Sequence, residues 1–213
     1  MQVTRILAIR HGETTWNAEK RIQGQLDTPL SPLGQWQAEQ AGLSLAGEHF
    51  DAIYASDLQR ASHTAQAIAA HHDMSVVTHS GLRERHFGSF EGMTWLEIQQ
   101  QWPDQSLSWQ HRDQWFTPGN GESLVALRER VLSTVKALAA KHLGQHIVVA
   151  AHGGVMDVLY RAANGIDISA PRTWELGNTA INRLLWSEEG LTLLHWGDLR
   201  HLDGERPLDE SST

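Results

Sequence analysis

Two apolar runs in this chain stop in the same way. Ile6-Leu7-Ala8-Ile9 gives way at once to Arg10-His11-Gly12, and Ile147-Val148-Val149-Ala150-Ala151 gives way to His152-Gly153-Gly154. Short uninterrupted apolar runs closed by glycine read as strands buried on both faces, and such strands belong to parallel sheets covered by helices. Residues 3–9 and 146–151 are therefore read as strands, with 52–55 and a weaker 76–78 between them. Ser31-Pro32 opens a helix to about residue 47, because serine caps well and proline at the first helical position loses no needed donor. Ser56 or Asp57 caps a second helix, whose Leu58, Ala61, Ala65 and Ile68 share one face. A third, over residues 122–142, carries the stripe Leu124, Leu127, Val131, Val135 and Leu138, and a fourth follows Gly154 to about residue 162. Residues 179–186 and 191–196 form two strands joined at Glu188-Glu189-Gly190, a hairpin signal.

This alternation predicts an α/β fold, a three-layer α/β/α sandwich around a mostly parallel central sheet. One stretch breaks the rhythm. About residues 83–121 mix glycine, glutamine and Pro103 with Trp95, Trp102, Trp109 and Trp115, and hold two short helical patches at 94–102 and about 104–115. They are read as a cap inserted into one domain covering residues 1–203, followed by a polar tail over 204–213.

Charge narrows the partners. The 17 basic residues against 25 acidic ones leave a formal charge of −8, which argues against general binding to nucleic acid or an anionic membrane. No stretch approaches the about 20 apolar residues of a membrane span, and no secretory signal is read at the N-terminus. The absence of cysteine removes disulfides and thiolate zinc sites, and a cytoplasmic location is the expectation. The oligomeric state, monomer or homodimer, stays open.

An acidic protein that binds an anion must gather its cations locally. In open α/β sheets ligands bind beyond the carboxyl ends of the strands, so neighbouring strands would bring His11 and His152 to one crevice. The strand over residues 52–55 delivers Ser56-Asp57-Leu58-Gln59-Arg60 to the same edge, with Arg60 in the first turn of a helix, where free N–H groups also favour an anion. Arg10, Arg60 and two histidines then form a phosphate-sized basic site.

Arg10-His11-Gly12-Glu13, Trp16-Asn17, Arg21-Ile22-Gln23-Gly24-Gln25 and Leu30-Ser31-Pro32-Leu33-Gly34 resemble the signature of the histidine phosphatase superfamily, the group typified by cofactor-dependent phosphoglycerate mutases and their phosphatase relatives. Ser56-Asp57-Leu58-Gln59-Arg60-Ala61, Leu82-Arg83-Glu84 and Ala151-His152-Gly153-Gly154 match later blocks in order. The resemblance implies a phosphomonoester hydrolase acting on a small phosphorylated metabolite. His11 matches the nucleophile that becomes phosphohistidine. Arg10, Arg60 and His152 match the groups that hold the phosphoryl oxygens, assisted by Asn17. Gln23 or the backbone of Gly24 closes the phosphate side, Gly153 belongs with the substrate-binding residues, and Glu84 matches the acid that protonates the leaving oxygen. Glu13 and Glu91 are the rival carboxylates.

The chemistry agrees with that casting. Neutral imidazole is a competent nucleophile near pH 7. Phosphoryl transfer spreads charge over equatorial oxygens, so positioned arginines supply much of the stabilisation. A carboxylic acid used as donor needs surroundings that favour its neutral form, and Phe87 offers apolar cover. No cofactor and no metal is called for. His142 and His146 have ligand-like spacing, but Gly144 interrupts the helix between them.

Two rivals remain: an isomerase that returns the phosphate to another hydroxyl, and a non-catalytic phospholigand-binding module. Glu84-Arg85-His86-Phe87-Gly88 resembles the mutase version of this block. Against it, Met93-Thr94 stands where mutases have an asparagine-lysine pair, and Gln110-His111-Arg112 replaces their paired arginines; hydrolysis is preferred. The cap tryptophans either staple the cap to the sheet or form an aromatic wall that selects the leaving group. Activity is expected to survive exhaustive treatment with EDTA, and a loss that Mg²⁺ or Zn²⁺ restores would contradict this reading.

Overall fold

The computed structural model describes residues 2–204, so the expected polar tail, apart from Gly204, lies outside the described residues. In chain order the elements are β1 (Thr4–Arg10), α1 (Thr15–Ala18), α2 (Pro32–Leu45), β2 (Ala52–Ala55), α3 (Gln59–Ala69), β3 (Val76–Thr78), α4 (Trp95–Gln101), α5 (Pro103–Gln110), α6 (Leu124–Ala139), β4 (His146–Ala151), α7 (Gly153–Asn164), β5 (Ile181–Ser187) and β6 (Gly190–Asp198). The six strands make one sheet in the order β3-β2-β4-β1-β5-β6. β3, β2, β4 and β1 are parallel, and β5 runs antiparallel to both β1 and β6.

Side chains alternate across a strand, and here each face meets a different layer. Ile6, Ala8, Ile147 and Val149 pack with Leu127, Val131 and Val135 of α6 and Met156 and Leu159 of α7. Leu7, Ile9, Val148 and Ala150 pack with Ala41 and Leu45 of α2 and Ala65 and Ile68 of α3. The two cores explain why β1 and β4 read as continuous apolar runs. They also make the three layers. Among the described residues no helix is long and apolar enough to cross a membrane.

Several boundaries move for identifiable reasons. The Ser31 hydroxyl accepts from Gly34 N as expected of a cap. At α3 the cap is Leu58, with no side-chain bond. Ser56 Oγ instead accepts from Leu58 N, while Asp57 pairs with Arg83. α6 starts at Leu124 rather than 122 because Ser123 Oγ caps Ala126 N and Glu122 turns to Arg130. Within the cap, Thr94 and Glu97 form a reciprocal capping box for α4. α5 begins at Pro103 and stops soon after residue 110, where Arg112 takes a left-handed backbone (φ 53°). The short helix α1, held by a Thr14–Asn17 capping box, went unforeseen.

Gly12 and Gly34 lie back to back. A Cβ on Gly12 would collide with the Gly34 carbonyl, and a Cβ on Gly34 with the Glu13 backbone. Neither neighbour is a flexible side-chain tip, so the backbone itself would have to shift. Gly12→Ala and Gly34→Ala are each expected to lower stability by about 1–3 kcal/mol, read as an earlier urea midpoint with unchanged slope.

Candidate active site

The β1–β4 register sets Arg10 opposite Ala151, so the residues that follow, His11 and His152, come out side by side. Their ring centroids are 5.2 Å apart. The His11 amide bonds back to the Ala151 carbonyl at 3.0 Å, which prolongs the ladder one step past the strand. The imidazole is 3% exposed, and its Nδ1 lies 2.7 Å from the Gly12 carbonyl. A carbonyl can only accept, so Nδ1 carries the proton and Nε2 keeps its lone pair. Burial, then the charges of Arg10 and Arg60, hold His11 well below the usual histidine range. Burial, then Arg60, does the same to His152. Both rings are therefore neutral near pH 7.

Four buried donors or acceptors around His11 lack partners among the described residues: Arg10 Nε, Arg60 Nε and both ring nitrogens of His152. Each arginine is anchored through its Nη groups: one of them in Arg10, both in Arg60. Arg10 donates from Nη1 to the Leu176 carbonyl. Arg60, fully buried, donates to the carbonyls of Leu26 at 2.8 Å and Gly24 at 2.7 Å. Its burial lowers its pKa to about 10, still a cation at neutral pH. Leaving such groups unsatisfied costs about 1–3 kcal/mol each, and an anion would accept from both Nε–H groups and from the one N–H of the His152 ring together.

Glu84 stands across from this group. Both its oxygens accept from Gly154 N at 3.0 Å, and Oε1 also accepts from Arg85 N at 2.7 Å. A Cβ on Gly153 would sit 3.6 Å from Arg10 Nε and 3.7 Å from Glu84 Oε2, so Gly153 separates acid from cation with only backbone between them. The rival carboxylates are committed elsewhere: Glu91 accepts from Gln25 N and Phe87 N, and Glu13 from the Ser31 hydroxyl.

The remaining candidates are less direct. Asn17 spends its side-chain oxygen on the Thr14 cap. Gln23 accepts from the Thr28 hydroxyl. Gly24, at φ +55°, offers its carbonyl to Arg60, so it helps to position that cation. Among the described residues no cluster of three or more carboxylate or imidazole groups is placed to hold a metal ion.

A cleft of about 720 Å³ opens beside this group, lined by Arg10, Glu84 and Gly153 together with residues of the cap and of the segment 165–179. His11 and His152 are buried and do not line it directly. Residues 165–178 had no legible pattern, and the strand expected from 179 starts only at Ile181, yet this stretch holds the end of β1 in place. Thr179 N donates to the Arg10 carbonyl at 3.0 Å, and Asn178 Nδ2 to the His11 carbonyl at 2.9 Å. Thr179 adopts φ 54°, an uncommon conformation for a β-branched residue and a cost that its surroundings must offset.

A neutral imidazole with a free Nε2, two arginines on unpartnered edges and a carboxylate across a glycine are the parts of a phosphoryl-transfer site. The model of the histidine phosphatase superfamily (branch 1) matches residues 6–199, and the chain belongs to that superfamily. Phosphoglycerate mutase-like protein 4 of Arabidopsis thaliana is 39% identical over 202 residues, 93% of this chain and 86% of that protein. The metal-independent phosphoserine phosphatase of the same plant is 35% identical over 204 residues, 94% and 84% of the two chains. The solved structure of mycobacterial glucosyl-3-phosphoglycerate phosphatase superposes with a TM-score of 0.83 at 31% identity, covering 92% of this chain and 99% of that one.

The depressed histidines link stability to pH. The unfolded chain takes up protons near pH 6.5 while the folded rings stay neutral, so stability present above that pH falls as the solution becomes more acid, until the folded values are reached. The slope approaches about 1.4 kcal/mol per pH unit for each imidazole. Urea midpoints between pH 8 and 5 are expected to fall less steeply in the His11→Asn, His152→Asn double variant. His72, His146 and His201, also lowered by burial, supply the remaining slope.

Proposed function

We propose that this phosphatase transfers the phosphoryl group of its substrate to Nε2 of His11 and then to water. The observation that carries the reading is the convergence of unpartnered buried groups, Arg10 Nε, Arg60 Nε and the His152 ring, around a histidine whose Nδ1 proton is already committed. Phosphoryl oxygens accept from the two Nε–H groups and from the N–H of His152. The arginines offset charge on the equatorial oxygens as the bond to the leaving oxygen breaks and the bond to Nε2 forms. Glu84 in its protonated form gives its proton to the departing alcohol. As carboxylate it then takes one from the water that attacks phosphohistidine, releasing inorganic phosphate and restoring both groups. Asn17, Gln23, Gly24 and Gly153 shape the phosphate side.

The substrate is a small phosphomonoester. Among the relatives, one is named for phosphoserine and another for glucosyl-3-phosphoglycerate. Both names describe hydrolysis, which supports hydrolysis over isomerisation here.

His11→Ala is expected to abolish turnover with the urea midpoint essentially retained, and labelled substrate should leave an acid-labile, base-stable adduct on the unaltered protein only. A fully active His11→Ala protein would overturn the mechanism. Glu84→Gln should cost about 10²–10⁴-fold with an alkyl phosphate but far less with p-nitrophenyl phosphate, whose leaving group needs no proton.

A further inference from the structure

The phosphoryl cradle fills only one end of the cleft. A volume of about 720 Å³ lies in the range of about 300–1,000 Å³ that takes drug-sized ligands, and a phosphoryl group with a three-carbon alcohol leaves most of it empty. The lining beyond Glu84 is not neutral. From the cap come Phe87, Trp95 and Trp109, and from the segment 165–179 come Pro171 and Arg172.

The aromatics are braced. Trp109 stacks on Phe90 at 5.7 Å and 22°, and meets Trp95 edge-on at 5.4 Å and 75°. Trp95 nevertheless stays 38% exposed. A rigid aromatic surface left open on a cleft is suited to the apolar face of a ring.

The cations are in surplus. Arg85 is buried and donates only to the carbonyls of Glu122 and Phe116. Arg112 shares Asp157 with Arg161. Arg172 is exposed, with neither an ion-pair nor a hydrogen-bond partner among the described residues. In a chain of formal charge −8, an unpaired arginine at the lip of the cleft marks where a second negative charge would be held.

We propose that the cleft between the cap and residues 165–179 is a leaving-group subsite for a ring-bearing alcohol that carries a carboxylate, with the ring on Trp95 and Trp109 and the carboxylate at Arg172. The proposal rests on the assignment of His11 and Glu84 to the chemistry. It makes Trp95 and Arg172 specificity determinants that leave the transfer step untouched.

Four phosphates of primary alcohols separate the two contacts: glycerol 3-phosphate, 3-phosphoglycerate, benzyl phosphate and 4-carboxybenzyl phosphate. For the unaltered protein kcat/KM should rise about 3- to 10-fold with the ring, the worth of one aromatic contact, and by a similar factor with the carboxylate. Trp95→Ala should erase the ring gain alone, with Trp95→Phe keeping most of it. Arg172→Gln should erase the carboxylate gain alone. Arg172 is exposed, Trp95→Phe controls for packing lost against Trp109, and kcat for glycerol 3-phosphate serves as the internal control. Equal kcat/KM with and without the ring or the carboxylate, or a gain that survives its variant, overturns the subsite while leaving the His11 mechanism standing. No turnover of any of the four and no adduct on His11 would overturn both.

Discussion

The parallel ladder between β1 and β4 aligns Arg5 with His146 and Arg10 with Ala151, and the site inherits its geometry from that alignment. Two histidines far apart in sequence meet because each is the first residue past its strand. A slip of one residue would turn the side chains of a strand to the opposite faces. It would break both cores at once, since each strand feeds α2 and α3 from one face and α6 and α7 from the other. The packing that stabilises the sheet thus also fixes where Nε2 of His11 points. No separate device is needed to bring the imidazoles together.

That alignment has a cost. It leaves arginine and histidine nitrogens buried without partners in a protein whose whole stability, by the usual measure, is about 5–15 kcal/mol. The apolar layers carry this burden, and the loop that ends in Thr179 adds strain of its own. Such groups are unfavourable in the empty site and favourable around an anion. In the proposed transfer, the binding energy of the phosphoryl group is realised where charge develops, which is where it accelerates a reaction.

Most of this was legible in sequence for one reason: strands buried on both faces are continuous in composition, and their ends are marked by glycine. β1 and β4 were legible in that way, with Arg10, His11 and His152 at their ends, while β2 shows only its short apolar run before the stretch 56–60 that ends in Arg60. Their assembly beyond the strand ends follows from the sheet's direction. Glu84 needed the family resemblance, because it lies in irregular backbone with no period to read; its two bonds from Gly154 show the position only in three dimensions. The cap helix α5 was placed late because Pro103 starts it and nothing in sequence announces the left-handed Arg112. Caps were misjudged where a polar side chain had a stronger partner, as with Asp57 and Arg83. Residues 165–178 carry no sequence signal of their own. They form no periodic element, and Leu176 and Asn178 matter through contacts with residues more than a hundred positions away, Leu176 with Arg10 and Asn178 with His11.

The cleft is built from two kinds of material. The phosphate end belongs to strand termini and the first turns of helices, where nearly every residue also serves the core. The opposite end belongs largely to residues 83–121 and 165–178, where Trp95 and Arg172 reach solvent. At the first end a substitution such as Gly12→Ala disturbs packing and phosphoryl site together, while at the second a substitution of Arg172 disturbs neither. A scaffold divided in this way can drift among alcohols over generations while its reaction stays constant. A family built on it would then be expected to share its chemistry across members and to scatter in the compounds for which its members are named.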